Sequence, residues 1–257
     1  MSVESLPRPL ALVTGGWRRI GGAIARKLAS EGWDLALHAH RTSTFDAEFK
    51  AQLEWLGAEV FPLAGDLDDP AFPAQMLVEV GRTAGRSPDL LVNCASRFHD
   101  DTVETITLDE LEQHFRVNLF APLLLTRAFA AALAGREGSV VNILDQRVIN
   151  PVPDQISYSL SKQALHAAVR TLSRAMAPKV RVNGVAPGLI LPTADYNAEQ
   201  WRRLEGMMPL QRLPGADEIA DAVHYLATAR SVTGQTLFVD AGASLESYPR
   251  DFVYMGK

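Results

Sequence analysis

Short, unbroken apolar runs alternate with longer stretches of helical spacing along the whole chain. PLALVTG (9–15), WDLALHAH (33–40), AEVFPLAGD (58–66), PDLLVNCA (88–95), GSVVNIL (138–144), VRVNGVAPG (180–188) and QTLFVD (235–240) read as strands. Between them, 18–32, 44–57, 70–85, 107–135, 157–178 and 216–228 carry the i, i+3, i+4 apolar spacing of helices. Gly57 reads as a C-terminal cap, and Thr107 with Glu110 as a capping box. Strands built as continuous Val/Leu/Ile runs, separated by helices, bury both faces of a parallel sheet. The expected architecture is therefore α/β: one domain over 1–257, a doubly wound Rossmann-type sheet of about seven strands with helices on both faces.

Composition changes this picture little. The chain is 47% hydrophobic and 21% charged, with a formal net charge of −5, which argues against a broadly basic nucleic-acid binder. Its single cysteine, Cys94, allows no intrachain disulfide and suits a reducing cytoplasm. The N-terminal residues lack a basic-then-apolar signal pattern. The most apolar stretch, 119–135, is interrupted by Pro122 and Arg127 and reads as a buried helix. Residues 189–212, rich in turn formers, read equally as a lid or as a packed surface helix. The tail at 244–257 carries three aromatics and reads as a segment that docks on a neighbouring subunit. The six histidines show no metal-ligand spacing, so no metal is expected.

The chemistry concentrates in a few places. Thr14-Gly15-Gly16 follows the first strand and Gly21-Gly22 opens the first helix, an arrangement that offers backbone N–H groups to an anion. Arg18 and Arg19 stand in that loop, and cations at a helix N-terminus make sense beside an anion. Tyr158 and Lys162 lie four apart on one helical face, where an ammonium is expected to lower the phenol pKa. The second strand ends without Asp or Glu. It continues instead into His40, Arg41, Thr42 and Ser43, a cation with hydroxyls suited to a 2′-phosphate, so NADPH is the expected cofactor.

Together these motifs, with NCAS (93–96), Asn118 and the APG ending in Pro187-Gly188, resemble the short-chain dehydrogenase/reductase family from Val13 to Ala243. The resemblance implies cofactor contacts from Gly15, Arg19, Ile20, Gly21, Asp66, Leu67, Asn93, Ala95, Ser96, Tyr158, Lys162, Pro187 and Gly188. Two departures direct it further. Arg19 replaces the middle glycine of the family loop, and Asp145 stands thirteen positions before Tyr158, where the family has serine. An ionised carboxylate accepts hydrogen bonds and disfavours nearby negative charge, which suits a substrate nitrogen gaining a proton better than a ketone oxygen. Both departures resemble the pteridine and dihydromonapterin reductase branch. That likeness implies catalysis by Asp145, Tyr158, Lys162 and Asn118, the last anchoring a relay water. It also implies a pterin held by Arg19, Ser96, Phe98, Asp145 and Tyr158, with Phe98 stacked on the ring, and a homotetramer packed through two long helices. Dihydrobiopterin, dihydromonapterin and dihydrofolate all fit this pattern. Beside it stand a carbonyl reductase of the same family, acting on a 3-oxoacyl, sugar or quinone substrate, and an NADPH-binding regulator without turnover.

Overall fold

In the computed structural model, which describes residues 8–191 and 196–256, all seven expected strands form one parallel sheet. They are β1 (Leu10–Thr14), β2 (Asp34–Ala39), β3 (Val60–Ala64), β4 (Leu90–Asn93), β5 (Gly138–Ile143), β6 (Val180–Pro187) and β7 (Thr236–Val239). The order across the sheet is β3-β2-β1-β4-β5-β6-β7. The first three strands wind one way from β1 and the rest wind the other way. The reversal opens a crevice beyond the C-terminal ends of β1 and β4, where open α/β sheets take their ligands.

The period-two geometry of a strand explains the two cores. In β1, Leu10 and Leu12 point into one and Ala11 and Val13 into the other, all fully buried. On one face α1 (Arg19–Ser30), α2 (Ala47–Trp55) and α8 (Ala216–Thr228) supply Ile24, Leu28, Leu53, Val223 and Leu226. On the other, α3 (Phe72–Ala84), α5 (Ala121–Ala132) and α6 (Ile156–Met176) supply Met76, Val80, Leu125, Phe129 and Leu172.

The expected helix at 107–135 contains a widened turn. α4 (Leu108–Phe115) runs through a π-type turn at Arg116–Phe120 into α5. Pro122 explains it: proline has no N–H and crowds the carbonyl four residues back, that of Asn118. At its start Thr107 accepts a hydrogen bond from the Glu110 N–H at 3.2 Å. The reciprocal half of the box is replaced, because the Glu110 carboxylate turns to Arg97. Among the described residues, Leu108–Ala132 is the one helical stretch long and apolar enough to cross a membrane by length and composition. Its Leu125 and Phe129 lie in the core as expected, while Leu108 and Phe120 face outward.

The 189–212 segment resolves towards a packed helix, α7 (Ala198–Met207), capped by Asn197, whose side chain accepts from Gln200 N. Leu204 is fully buried against Met208 and Phe252. Residues 192–195 of that expected loop lie outside the described residues. The C-terminal tail, expected at a subunit interface, has contacts within its own chain. It folds onto its own chain, with Phe252 buried beside Tyr248 and Leu204, and the Gln200 amide donating to the carbonyls of Phe252, Val253 and Met255.

Candidate active site

The crevice is a cleft of about 1220 Å³. At its centre the chain ends of β1 and β4 nearly touch. Gly15 sits at φ +65°, and a Cβ there would lie 3.2 Å from Ala95 Cα. At Gly21 a Cβ would meet the Gly15 carbonyl oxygen at 2.1 Å, so nothing but glycine lets the helix start this close to the strand. Thr14 fastens the junction, its hydroxyl accepting from the N–H groups of Cys94 (2.9 Å) and Ala95 (3.0 Å). Bare backbone at a helix N-terminus is the chemistry of a phosphate cradle. Arg18 and Arg19 stand exposed at its edge, and neither makes an ion pair among the described residues. Arg19 adopts φ +53°, the left-handed region that the family's glycine would occupy without strain.

The expected cofactor residues fall into three groups. Gly15, Arg19, Ile20, Gly21, His40, Asp66, Leu67, Ala95, Ser96, Tyr158, Lys162, Pro187 and Gly188 line the cleft. Arg41, Thr42 and Ser43 do not; they are exposed in and before the short 3-10 turn after β2, while His40 faces Asp66 across 3.4 Å. Asn93 is also off the wall: it is buried and its amide donates to Asn142 Oδ1 at 2.8 Å, bridging β4 to β5.

Asp145 and Tyr158 are brought together as expected. The Tyr158 hydroxyl donates to Asp145 Oδ2 at 2.9 Å. Phe98, 56% exposed on the cleft wall, meets the Tyr158 ring edge-on at 4.8 Å. The electrostatics correct the sequence reading. Burial, and then the neighbouring Asp145 charge, push the Tyr158 phenol well above its ordinary pKa. The Lys162 ammonium makes its hydrogen bond to the Ile143 carbonyl at 2.8 Å, not to the phenol. Burial itself lowers Lys162 to about 8, with Asp145 opposing. The phenol therefore stays protonated near neutrality and is available as an acid.

The Asn118 side chain is fully committed to protein partners. Its side-chain oxygen accepts from Ser96 Oγ (3.1 Å) and Arg97 N (2.8 Å), and its amide donates to the Arg97 carbonyl (2.9 Å) and Ser161 Oγ (3.0 Å). The side chain has no capacity left for a water. Its backbone carbonyl does, since Pro122 deprives it of the usual helical donor.

Sequence reasoning missed Arg147. This buried guanidinium grips Asp145, Nε donating to Oδ1 at 3.1 Å and Nη2 to Oδ2 at 3.3 Å, while its backbone N–H adds a bond of 2.8 Å. Burial works to raise the Asp145 carboxyl, but Arg147 outweighs it, so Asp145 is held ionised below the usual range. The signal was an aspartate just past the end of a buried strand, followed two positions later by arginine, a spacing that lets a carboxylate and a guanidinium pair across a turn. The cleft also gains Asp251, Phe252, Val253 and Tyr254 from the tail. Cys94 lies beneath it as a thiol pushed up by burial to about 11.

The family profile described as Enoyl-(Acyl carrier protein) reductase matches residues 16–244. Glucose 1-dehydrogenase of Gluconobacter oxydans is 31% identical over 244 residues, covering 91% of each chain. Pteridine reductase 1 of Leishmania tarentolae is 29% identical over 283 residues, covering 92% of this chain and 96% of its own. Among solved structures, FolM alternative dihydrofolate reductase 1 from Brucella suis, in complex with NADP, superposes with a TM-score of 0.88 at 36% identity. The match covers 95% of this chain and 98% of that one.

Proposed function

The chain belongs to the short-chain dehydrogenase/reductase family, and on that premise we propose that it is an NADPH-dependent reductase acting on the C=N bond of a pterin, taking a dihydropterin to a tetrahydropterin. The observation that carries this reading is Asp145: a carboxylate held ionised and bonded to the Tyr158 hydroxyl where the family has serine. Its negative charge opposes an alkoxide and favours a nitrogen that leaves protonated. The likeness to a pteridine reductase and to an alternative dihydrofolate reductase crystallised with NADP supports it.

Bound NADPH supplies the hydride. Gly15, Gly21, Ala95, Pro187 and Gly188 would hold it by backbone, with Arg19 near its phosphates and Lys162 at its nicotinamide ribose. His40, Arg41, Thr42 and Ser43 would take the 2′-phosphate. Phe98 offers a flat apolar wall for the heteroaromatic ring. The Tyr158 phenol, resting on Asp145 in the free protein, gives its proton to the substrate nitrogen, and Asp145 keeps the hydroxyl aimed. A water on the Asn118 carbonyl would return the proton by way of Lys162. Apolar residues left outward on the long helices, Leu108 (71% exposed), Phe120 (47%) and Leu160 (44%), support a homotetramer packed through α4, α5 and α6. Sedimentation equilibrium counts its subunits. We assign the reaction to the reducing cytoplasm.

The test is oxidation of NADPH by the purified protein offered dihydrobiopterin, dihydromonapterin, dihydrofolate and a panel of ketones, with NADH in parallel. Faster turnover of a pterin, and with NADPH, is expected. Turnover of ketones alone removes the pterin reading and leaves a carbonyl reductase.

Arg19 tests the loop separately. Arg19→Gly relieves the left-handed strain and is expected to stabilise the fold by roughly 0.5–1 kcal/mol, while weakening NADPH binding about tenfold through loss of a charge-assisted contact. Thermal unfolding and a binding titration read the two effects. A variant that is stabilised yet binds NADPH unchanged removes Arg19 from the cofactor site.

A further inference from the structure

The tail residues 250–254 touch the catalytic pair through a closed circuit of hydrogen bonds. Arg147 spends Nε and Nη2 on Asp145, which leaves Nη1 pointing the other way. That nitrogen donates to Asp251 Oδ2 and to Gln155 Oε1, both at 2.7 Å. The Gln155 amide donates to Asp100 Oδ1 at 3.0 Å, and Asp100 Oδ2 accepts from the Tyr254 hydroxyl at 2.5 Å. The circuit thus leaves the tail at Asp251 and returns to it at Tyr254. Arg250 and the Asp251 N–H close on Asp154 at 2.9 and 2.7 Å.

The residues on the inner side of this circuit set the catalytic geometry. Gln155 is the N-cap of α6, almost wholly buried and in the left-handed region at φ +48°, three positions before Tyr158. Such a backbone persists only when surrounding contacts over-determine it. The Arg147 guanidinium lies 5.2 Å from the Tyr158 ring centre and 6.0 Å from that of Phe98, so it backs both walls of the substrate end. Two carboxylates, Asp145 and Asp251, share this one guanidinium from opposite sides. Removing either anchor frees the fork to rotate.

We infer that the C-terminal strap, residues 250–254, is a positioning element of the reductase: Asp251 and Tyr254 fix Arg147 and Gln155, and these fix the Asp145 carboxylate against the Tyr158 hydroxyl. The strap transfers no proton itself. The inference rests on Asp145 and Tyr158 being the catalytic pair, and it does not depend on whether the acceptor is a pterin.

The test is the double variant Asp251→Asn/Tyr254→Phe. Both changes are nearly isosteric and leave Phe252 in its apolar seat. Turnover is measured with whichever pterin or ketone the unaltered protein reduces, so a failed pterin reading and a failed strap are told apart. The expected result is a kcat reduced roughly ten- to a hundredfold, with KM and the NADPH Kd within about twofold, as for a misaligned reacting group. Hydrogen exchange, which needs no turnover, is expected to accelerate at 145–148 and 156–160 as well as in the strap. A rise in KM at unchanged kcat would make the strap a mere substrate wall. Faster exchange confined to 250–256 would sever it from the catalytic pair. Should the double variant not fold, Tyr254→Phe alone carries the same two readouts, because that hydroxyl is exposed and its ring remains.

Discussion

Tyr158→Phe is expected to lower kcat by about 10²- to 10⁴-fold, the usual worth of a positioned general acid. The change removes one oxygen. The ring keeps its edge-on contact with Phe98, and Asp145 keeps its three bonds to Arg147, so the fold should hold. The NADPH Kd should stay within about twofold, since the phosphate cradle is made by the glycine loop on the far side of β4. Stopped-flow hydride transfer and a fluorescence titration separate the two quantities. Turnover that survives the change would place the proton source elsewhere, and the high phenol pKa would then be only a consequence of burial.

Asp145→Ser is expected to act on substrate class. Serine is too short to reach both Tyr158 and the Arg147 fork, and it carries no charge. Pterin reduction should fall about 10²-fold, while a ketone should gain ground because the charge opposing an oxyanion is gone. The remaining cation, Arg147, keeps Asp251 as its partner at 2.7 Å, which limits the destabilisation to about 1–3 kcal/mol. The pH dependence of stability should change too. The Asp145 pKa is lowered in the folded protein, so its contribution is present above the ordinary carboxylate range and is lost as pH falls through the folded value. The variant should therefore lose less stability than the parent on acidification, read by chemical unfolding across pH. Equal acid sensitivity in the two proteins would mean that Arg147 does not hold Asp145 ionised.

Local pattern made most of the fold legible. The helix expected at 216–228 forms over those residues, and each strand run contains its strand, because the central strands are buried along their length and apolar residues dominate them. The glycine loop and the Tyr158–Lys162 spacing are likewise local, and the structure puts them on one cleft. What stayed hidden depends on partners distant in sequence. Arg147 meets Asp251 across 104 positions and Asp100 meets Tyr254 across 154, and no periodicity records such a pairing. The tail's aromatics were legible as sticky but not as self-directed, since the seat of Phe252 is built from Leu204 and Met208, more than forty positions away. The error over the Tyr158 pKa has the same origin. Spacing put Lys162 on the same helical face, but only the fold shows its ammonium spent on the Ile143 carbonyl while a carboxylate takes the hydroxyl.

The order in which the ribosome makes this chain bears on the strap. Asp145, Arg147 and Tyr158 are synthesised long before Asp251, so a nascent chain can build the whole sheet up to β6 with Arg147 held by Asp145 and Gln155 alone. The cleft then lacks one wall until residues 250–254 emerge and meet Asp154, Gln200 and the seat for Phe252. The second carboxylate on Arg147 thus reaches it only after the nucleotide-cradling half of the molecule has been made.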